Sequence, residues 1–247
     1  ATYIVNDLWD LDSDRLHPRK RHRPLASADV SIISALVVSA FCLVAGFALA
    51  GMLSTQFFLV LFLYLVVTSS YSWVLKQYVL IDVIALSLLY TLRIIAGSVA
   101  IGVVTSAWLL AFSVFLFLSL ALVKRCSELV GLEKTGDAVT SGRDYRVIDL
   151  KVLWPLGVGA AMSAVVVFGL FISSPETAVR YGSPLALWLV ALGLIYWLSR
   201  LWIKTGRGEM HDDPVVYAMQ DRGSRIVIFF MAATMIAAHY IEIDFLQ

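Results

Sequence analysis

The sequence predicts an all-α fold, a polytopic transmembrane helical bundle with about seven spans. Of its 247 residues, 60% are hydrophobic and only 15% are charged, whereas about 25% charged residues are usual in soluble domains. Apolar stretches of about 20 residues, the length needed to cross a bilayer, recur along the chain. The charged residues are concentrated in some of the connections between these stretches and are almost absent from others.

The predicted spans follow one another with connections that alternate in charge. They cover residues 30–51, 56–75, 82–102, 107–123, 152–172, 184–203 and 225–243. The connections near 51–56 and 103–106 contain no charged residue, and the one near 173–184 contains only Glu176 and Arg180. Most of the basic residues lie in the remaining connections, and such connections usually face the cytoplasm. We therefore expect an integral protein of the inner or plasma membrane, with the N-terminal aspartates and the basic connections on the cytoplasmic side.

The segment 6–14, ahead of the first span, carries carboxylates at helical spacing. Each helical residue advances by about 100°, so Asp7, Asp10 and Asp14 fall within roughly 60° of one another, and Asp12 points away. Like charges on one helix face repel each other, unless cations lie between them and another anion. Mg²⁺ prefers oxygen ligands and usually takes one or two protein carboxylates together with water and substrate phosphate. The spacing predicts a catalytic Mg²⁺ site on these three aspartates; the alternative is a solvated acidic helix end beside a positive membrane anchor.

Basic residues follow this acidic stripe at once, at Arg15, Arg19, Lys20, Arg21 and Arg23. Cations next to a metal site favour a phosphorylated ligand, because guanidinium and ammonium groups form strong hydrogen bonds with phosphate oxygens. We expect a phosphorylated donor substrate to be bound here by Asn6, Arg19, Lys20 and Arg23.

Arg93 lies about half-way along the third predicted span. A charge at that depth costs at least a few kcal/mol and normally faces a partner or a cavity. Two roles are open, a structural ion pair with a carboxylate and phosphate binding in a polar cavity, and the implied anionic ligand favours the second. Tyr71 and Lys76 end the preceding span and are candidate substrate contacts, although Lys76 could equally be a membrane anchor.

A second polar connection, near 124–151, begins with Lys124, Arg125 and Glu128. Lys124 and Glu128 are one helical turn apart, which allows an ordinary salt bridge. The alternative places Lys124, Arg125 and Glu128 at the mouth of a cavity, opposite the acidic stripe. Asp144 belongs to a glycine-containing turn at 141–146 that could close over a ligand. The His-Asp-Asp cluster at 211–213 gives only a weak indication of a metal site.

The motif Asn6-Asp7-x-x-Asp10-x-x-x-Asp14, followed by Arg23-Pro24-Leu25, resembles the first signature of the UbiA superfamily of intramembrane prenyltransferases. The segment 71–76 is similar to that family's tyrosine-to-lysine segment. The resemblance implies one domain, a bundle of nine membrane helices, of which the first and most of the second are absent from 1–247. It also implies a central cavity in which Mg²⁺ bridges the aspartates to a diphosphate.

The second aspartate-rich motif of ordinary family members is replaced here by Lys124-Arg125-Cys126-Ser127-Glu128. This departure, together with Tyr90-x-x-Arg93-x-x-Ala96-Gly97, resembles the branch that contains decaprenyl-phosphate phosphoribosyltransferase. The resemblance implies phosphoribosyl pyrophosphate as donor and a polyprenyl phosphate lipid as acceptor. Additional cations are compatible with two anionic substrates.

Two other functions stay open at this point. One is prenyl transfer from an isoprenyl diphosphate to an aromatic or other acceptor, against which the absent second aspartate motif counts. The other is transport of phosphorylated lipids, but the sequence shows no paired repeat of the kind common in transporters. We expect membrane lipid and no nucleic acid as a partner, and the sequence gives no indication of the oligomeric state.

Overall fold

A computed structural model describes residues 1–16, 20–135, 143–210 and 213–241, apart from the side chains of Ser13, Leu16, Lys20 and Thr135. All long regular elements in these residues are helical. The α-helices are α1 (Thr2–Trp9), α2 (Leu11–Leu16), α3 (Ile32–Leu53), α4 (Thr55–Trp73), α5 (Ile81–Ala100), α6 (Ala107–Thr135), α7 (Leu150–Ile172), α8 (Pro175–Arg180), α9 (Leu187–Gly206), α10 (Pro214–Gln220) and α11 (Arg222–Tyr240).

Seven helices in the described part of the chain are long and apolar enough to cross a membrane. They correspond in order to the seven predicted spans, so the predicted fold class is confirmed. Large apolar side chains such as Phe41, Met52 and Phe229 are exposed on them, as is usual for surfaces that face lipid instead of water. The chain is an integral membrane protein.

Polar caps set several of the helix boundaries. Ser31 and Ser54 precede α3 and α4, and their hydroxyls accept hydrogen bonds from the backbone N–H groups of Ser34 and Phe57 at 3.1 and 3.0 Å. Asp221 caps α11 in the same way. Such caps satisfy backbone donors that the first helical turn leaves unpaired, which explains why α11 begins three residues before the predicted span.

One prediction about the connections was wrong. Lys124, Arg125 and Glu128 do not open a loop but lie inside α6, which continues to Thr135. Their side chains are therefore fixed by a regular helix.

The described residues form two compact units. Unit 1 comprises residues 1–76 and 92–104, and unit 2 comprises residues 77–91 and 105–247. In unit 1, α1 packs against α3 and α4, which also pack against each other. Trp9 of α1 contacts Trp73 of α4, with ring centroids 6.3 Å apart.

Unit 2 is built around α6, α7 and α9, with α11 against α9. Its main core includes Leu122, Leu129, Leu153, Leu201 and Trp202, all of them buried. A polar link crosses this core, because the Trp202 indole N–H donates to the Ser119 hydroxyl at 3.1 Å and that hydroxyl donates to the Gly157 carbonyl at 2.9 Å.

Gly157 is required for this packing, and its replacement by alanine should destabilise the protein by about 1–3 kcal/mol. An added Cβ would collide with the Trp202 ring and lie 3.1 Å from Leu122 Cβ. Thermal unfolding in detergent should show a midpoint lowered by roughly 2–4 °C for each kcal/mol. Gly159→Ala is the matched control in the same helix, since its Cβ would meet no described atom within 4 Å. Equal midpoints for the two variants would contradict the packing argument.

Candidate active site

The aspartates of unit 1 lie on a helical path that bends once. α1 ends at Trp9, Asp10 forms a turn, and α2 begins at Leu11. Helical hydrogen bonds nevertheless continue across the turn, from Asp10 N–H to the Asn6 carbonyl at 2.9 Å and from Asp14 N–H to the Asp10 carbonyl at 2.8 Å. The helical spacing assumed from the sequence is thus largely kept, although the helix is not continuous.

Asp7 and Asp14 converge on a single cationic atom. Nη1 of Arg23 lies 2.8 Å from Asp7 Oδ1 and 2.7 Å from Asp14 Oδ2. Asp14 is only 2% exposed, whereas Asp7 and Arg23 are partly exposed. The two carboxylates therefore share one position that a positive charge can occupy.

The chain beyond α2 brings Arg23 back to the aspartates. Leu25, two residues after Arg23, is buried in a small core with Leu11 of α2 and Ala35 of α3. Apolar burial of this kind holds the segment in place by roughly 2 kcal/mol for a leucine side chain. Arg19 lies outside the described residues, as does the side chain of Lys20, so their predicted roles stay predictions.

Asp10 has different partners. Its Oδ1 lies 3.5 Å from Lys76 Nζ, and its Oδ2 accepts a hydrogen bond from Asn6 Nδ2 at 3.2 Å. Lys76 is placed here by a short 3₁₀ helix, Leu75–Gln77, that follows α4. In the described residues, no three acidic, histidine or cysteine side chains are close enough to hold one metal ion. The arrangement fits a cation held by Asp7 and Asp14, which matches the one or two carboxylates that Mg²⁺ usually takes.

A cavity of about 240 Å³ adjoins this cluster between α1, α3 and α4. Asn6 and Trp9 line it together with Thr68, Ser69 and Ser72 of α4. The hydroxyl of Thr68 is buried and makes no hydrogen bond within the described residues. Tyr71 is half-buried in the same helix but is not among the residues that line the cavity. Apolar side chains such as Leu43, Leu65 and Trp73 form most of the wall, so unit 1 has a largely apolar cavity with a few polar groups beside its acidic stripe.

Arg93 belongs to unit 1 and contacts a tyrosine. Its Nε and Nη2 donate to the Tyr64 hydroxyl at 3.1 and 2.6 Å, and its guanidinium lies 5.4 Å from the centre of that ring. Tyr64 was not predicted as a site residue. It is one tyrosine within an apolar span, and no motif or spacing in the sequence distinguishes it. The role of Arg93 toward phosphate stays a prediction.

Arg125, by contrast, lies in a buried network of unit 2. It is 1% exposed, and its Nε lies 2.6 Å from an oxygen of Asp82, which is 0% exposed. Its Nη1 also lies 2.5 Å from Glu128, whose carboxylate is 3.4 Å from Arg143. Arg125 and Asp82 thus neutralise each other inside the protein. This favours a structural role for Arg125 over direct contact with substrate.

Tyr145 completes this network and was missed by the sequence reasoning. Its hydroxyl donates to Asp82 and accepts a hydrogen bond from the Leu80 N–H at 2.9 Å. Burial, together with the neighbouring Asp82, raises the pKa of Tyr145 well above its usual value. Asp144 itself is exposed, and its backbone N–H donates to the Gln77 carbonyl at 3.2 Å. The turn is therefore anchored by Tyr145 to the start of α5 and by this backbone bond to the end of the preceding 3₁₀ helix.

Lys124 pairs with Asp213 at 2.9 Å, and both side chains are partly exposed. Asp213 also caps α10 by accepting a hydrogen bond from Val215 N–H at 3.0 Å. His211 and Asp212, the other members of the weak metal cluster, lie outside the described residues. The sequence gave no means of pairing Lys124 with Asp213, which are 89 positions apart.

Comparison with known proteins decides the family. The model of the UbiA prenyltransferase family matches residues 1–233. The chain belongs to that family. This confirms the resemblance predicted from the aspartate motif.

Three similar proteins illustrate the relationship. The uncharacterized protein y4nM of Sinorhizobium fredii is 37% identical over 96% of this chain and 46% of its own length. The decaprenyl-phosphate phosphoribosyltransferase of Mycobacterium tuberculosis is 34% identical over 69% of this chain and 56% of its own length. The chain thus spans about half the length of these two relatives. A solved UbiA homolog from Archaeoglobus fulgidus, described as bound to GPP and Mg²⁺, shares the fold with a TM-score of 0.67, at 18% identity over 97% of this chain and 83% of that one.

Proposed function

We propose that the complete protein is a Mg²⁺-dependent intramembrane transferase that moves a phosphoribosyl group from phosphoribosyl pyrophosphate to a polyprenyl phosphate. Relatives named decaprenyl-phosphate phosphoribosyltransferase support the two substrates. The Mg²⁺ named with the Archaeoglobus fulgidus homolog supports a metal in this family. The observation that carries the proposal is the convergence of Asp7 and Asp14 on one cationic nitrogen.

In this proposal Asp7 and Asp14, the two carboxylates that share Arg23, would hold the divalent cation. Mg²⁺ held there by Asp7 and Asp14 would neutralise the pyrophosphate and stabilise it as a leaving group. The guanidinium of Arg23 would bind the pyrophosphate oxygens beside these carboxylates, a pairing for which its planar donor fork is suited. Asp10 keeps Lys76 beside the same group, where its charge adds to the binding of the donor.

The transfer itself needs no side-chain nucleophile. The bond between ribose C1 and the pyrophosphate oxygen breaks, and its electron pair leaves with pyrophosphate. An oxygen of the lipid phosphate forms the new bond to C1, so a phosphate monoester becomes a diester. Arg93, a guanidinium within a membrane span, is our candidate for orienting the lipid phosphate, while Lys124 stays a prediction from the sequence. We also propose that the aspartates face the cytoplasm, as the distribution of basic residues predicts.

The test is a transfer assay with the full-length protein in nanodiscs. Labelled phosphoribosyl pyrophosphate, a polyprenyl phosphate and Mg²⁺ are supplied, and label is measured in the organic phase. Label that depends on both the lipid phosphate and Mg²⁺ is the expected result. A parallel arm supplies a labelled isoprenyl diphosphate with aromatic acceptors. Product in that arm alone would overturn the phosphoribosyl proposal in favour of prenyl transfer.

A further inference from the structure

Unit 2 contains an apolar chamber of about 490 Å³ between α6, α7, α9 and α11. This volume lies within the range of about 300–1,000 Å³ that is usual for small-molecule sites. Aromatic and aliphatic side chains form most of the wall, among them Phe112, Leu116, Phe168, Phe171, Leu194 and Met231. None of the residues that line it belongs to the predicted active site.

The chamber lies toward the end of these helices that is remote from the basic connections. Trp108 of α6 lines it, and Lys124 follows about 24 Å farther along the same helix, at 1.5 Å per residue. The last turn of α7 and the first turns of α9 contribute the rest of that end. The chamber thus opens near one membrane surface.

The wall of this apolar chamber includes a cationic side chain. Arg180 lines it and is exposed, and its guanidinium makes no hydrogen bond or ion pair in the described part of the chain. Glu176, one turn earlier in α8, does not pair with it. Ser106 also lines the chamber, and its hydroxyl makes no hydrogen bond among the described residues. Arg180 and Ser106 therefore lack side-chain partners among the described residues, and apart from the polar atoms of Trp108 and Tyr181 the remaining side chains of the wall are apolar.

We infer that the chamber binds one anionic phospholipid of the surrounding bilayer, with an acyl chain inside and the phosphate at Arg180. A cation beside an apolar chamber is complementary to an amphiphile with an anionic head. Arg180 lies between one span that ends at Ile172 and another that begins at Pro184, which places it at the level of lipid head groups. Exposed side chains of the wall, including Leu109, Ile228 and Ala232, leave the chamber open to a lipid that diffuses in the bilayer.

Native mass spectrometry of the full chain, released from detergent with added lipid, tests this site. Phosphatidylglycerol and phosphatidylcholine of the same chains are titrated separately. We expect one tightly retained phosphatidylglycerol, and a loss of about fivefold in its apparent affinity in Arg180→Gln, as for one arginine at a lipid surface. Arg225→Gln is the matched control, because Arg225 is an exposed arginine without an ion pair at the other end of unit 2. Ala232→Phe fills the chamber from its open side and should also reduce retention.

The outcomes separate the possible occupants. Equal retention of both phospholipids, or equal losses in Arg180→Gln and Arg225→Gln, would overturn the site. Displacement of phosphatidylglycerol by an equimolar polyprenyl phosphate, in wild type but not in Arg180→Gln, would assign the chamber to an isoprenoid lipid and overturn the phospholipid. Because binding is measured without turnover, neither result depends on the proposed transfer reaction.

Discussion

Asp7→Asn and Asp14→Asn are each expected to lower phosphoribosyl transfer by about 100-fold or more. A metal that stabilises a leaving pyrophosphate contributes several kcal/mol to catalysis, and each 1.36 kcal/mol is a factor of ten in rate. Both carboxylates contact the same cationic atom, Nη1 of Arg23. Loss of either should therefore weaken the cation site and raise the Mg²⁺ concentration needed for half-maximal activity.

Asp12→Asn is the control for these variants. Asp12 lies in α2 with Asp14, is fully exposed, and its carboxylate lies 3.9 Å from Arg15. Its activity should stay within about twofold of wild type, as is usual for an exposed position. Thermal unfolding must accompany the assays, because Asp14 is buried and paired with Arg23. Normal transfer by a folded Asp7→Asn protein would remove Asp7 from the proposed metal site.

The seven spans could be predicted because their signal is local. A stretch of about 20 apolar residues must form a helix in lipid, where backbone groups have no other partner. The end of α6 could not be predicted in this way. Hydropathy falls at Lys124, but leucine, glutamate and lysine are good helix formers, so the helix continues through Glu128 to Thr135. Charge marks where the membrane span ends, and here the helix extends beyond it.

In the candidate site, too, the local features could be predicted from the sequence and the long-range contacts could not. The shared face of Asp7 and Asp14 follows from helix geometry alone and could be predicted. Their pairing with Arg23 could not, because the intervening segment has no periodicity that fixes its path. The partners Asp82 and Arg125 are 43 positions apart and Asp82 and Tyr145 are 63 apart. Contacts at such separation are set by how helices pack, which a single sequence does not contain.

The buried pair of Arg125 and Asp82 leads to the largest expected effect on stability. Arg125→Met should destabilise the protein by about 3–5 kcal/mol, because it leaves a carboxylate uncompensated in the interior. Asp82 is 0% exposed, and the hydroxyl of Tyr145 and the backbone N–H of Val83 donate to its other oxygen. Those neutral donors cannot cancel a full charge. The fraction of folded protein after heating, followed by size-exclusion chromatography in detergent, measures the loss.

Adding Asp82→Asn to Arg125→Met should restore most of the lost stability. Arg125→Met combined with Asp82→Asn removes both charges, and the asparagine carbonyl can still accept from Tyr145 and Val83. Breaking a buried ion pair on one side costs far more than replacing both partners, so the double variant should be more stable than Arg125→Met alone. Lys151→Gln, at an exposed position near the start of α7, controls for the loss of one positive charge. If Arg125→Met instead unfolded like Lys151→Gln and lost only transfer activity, Arg125 would be a substrate contact after all, as the sequence had indicated.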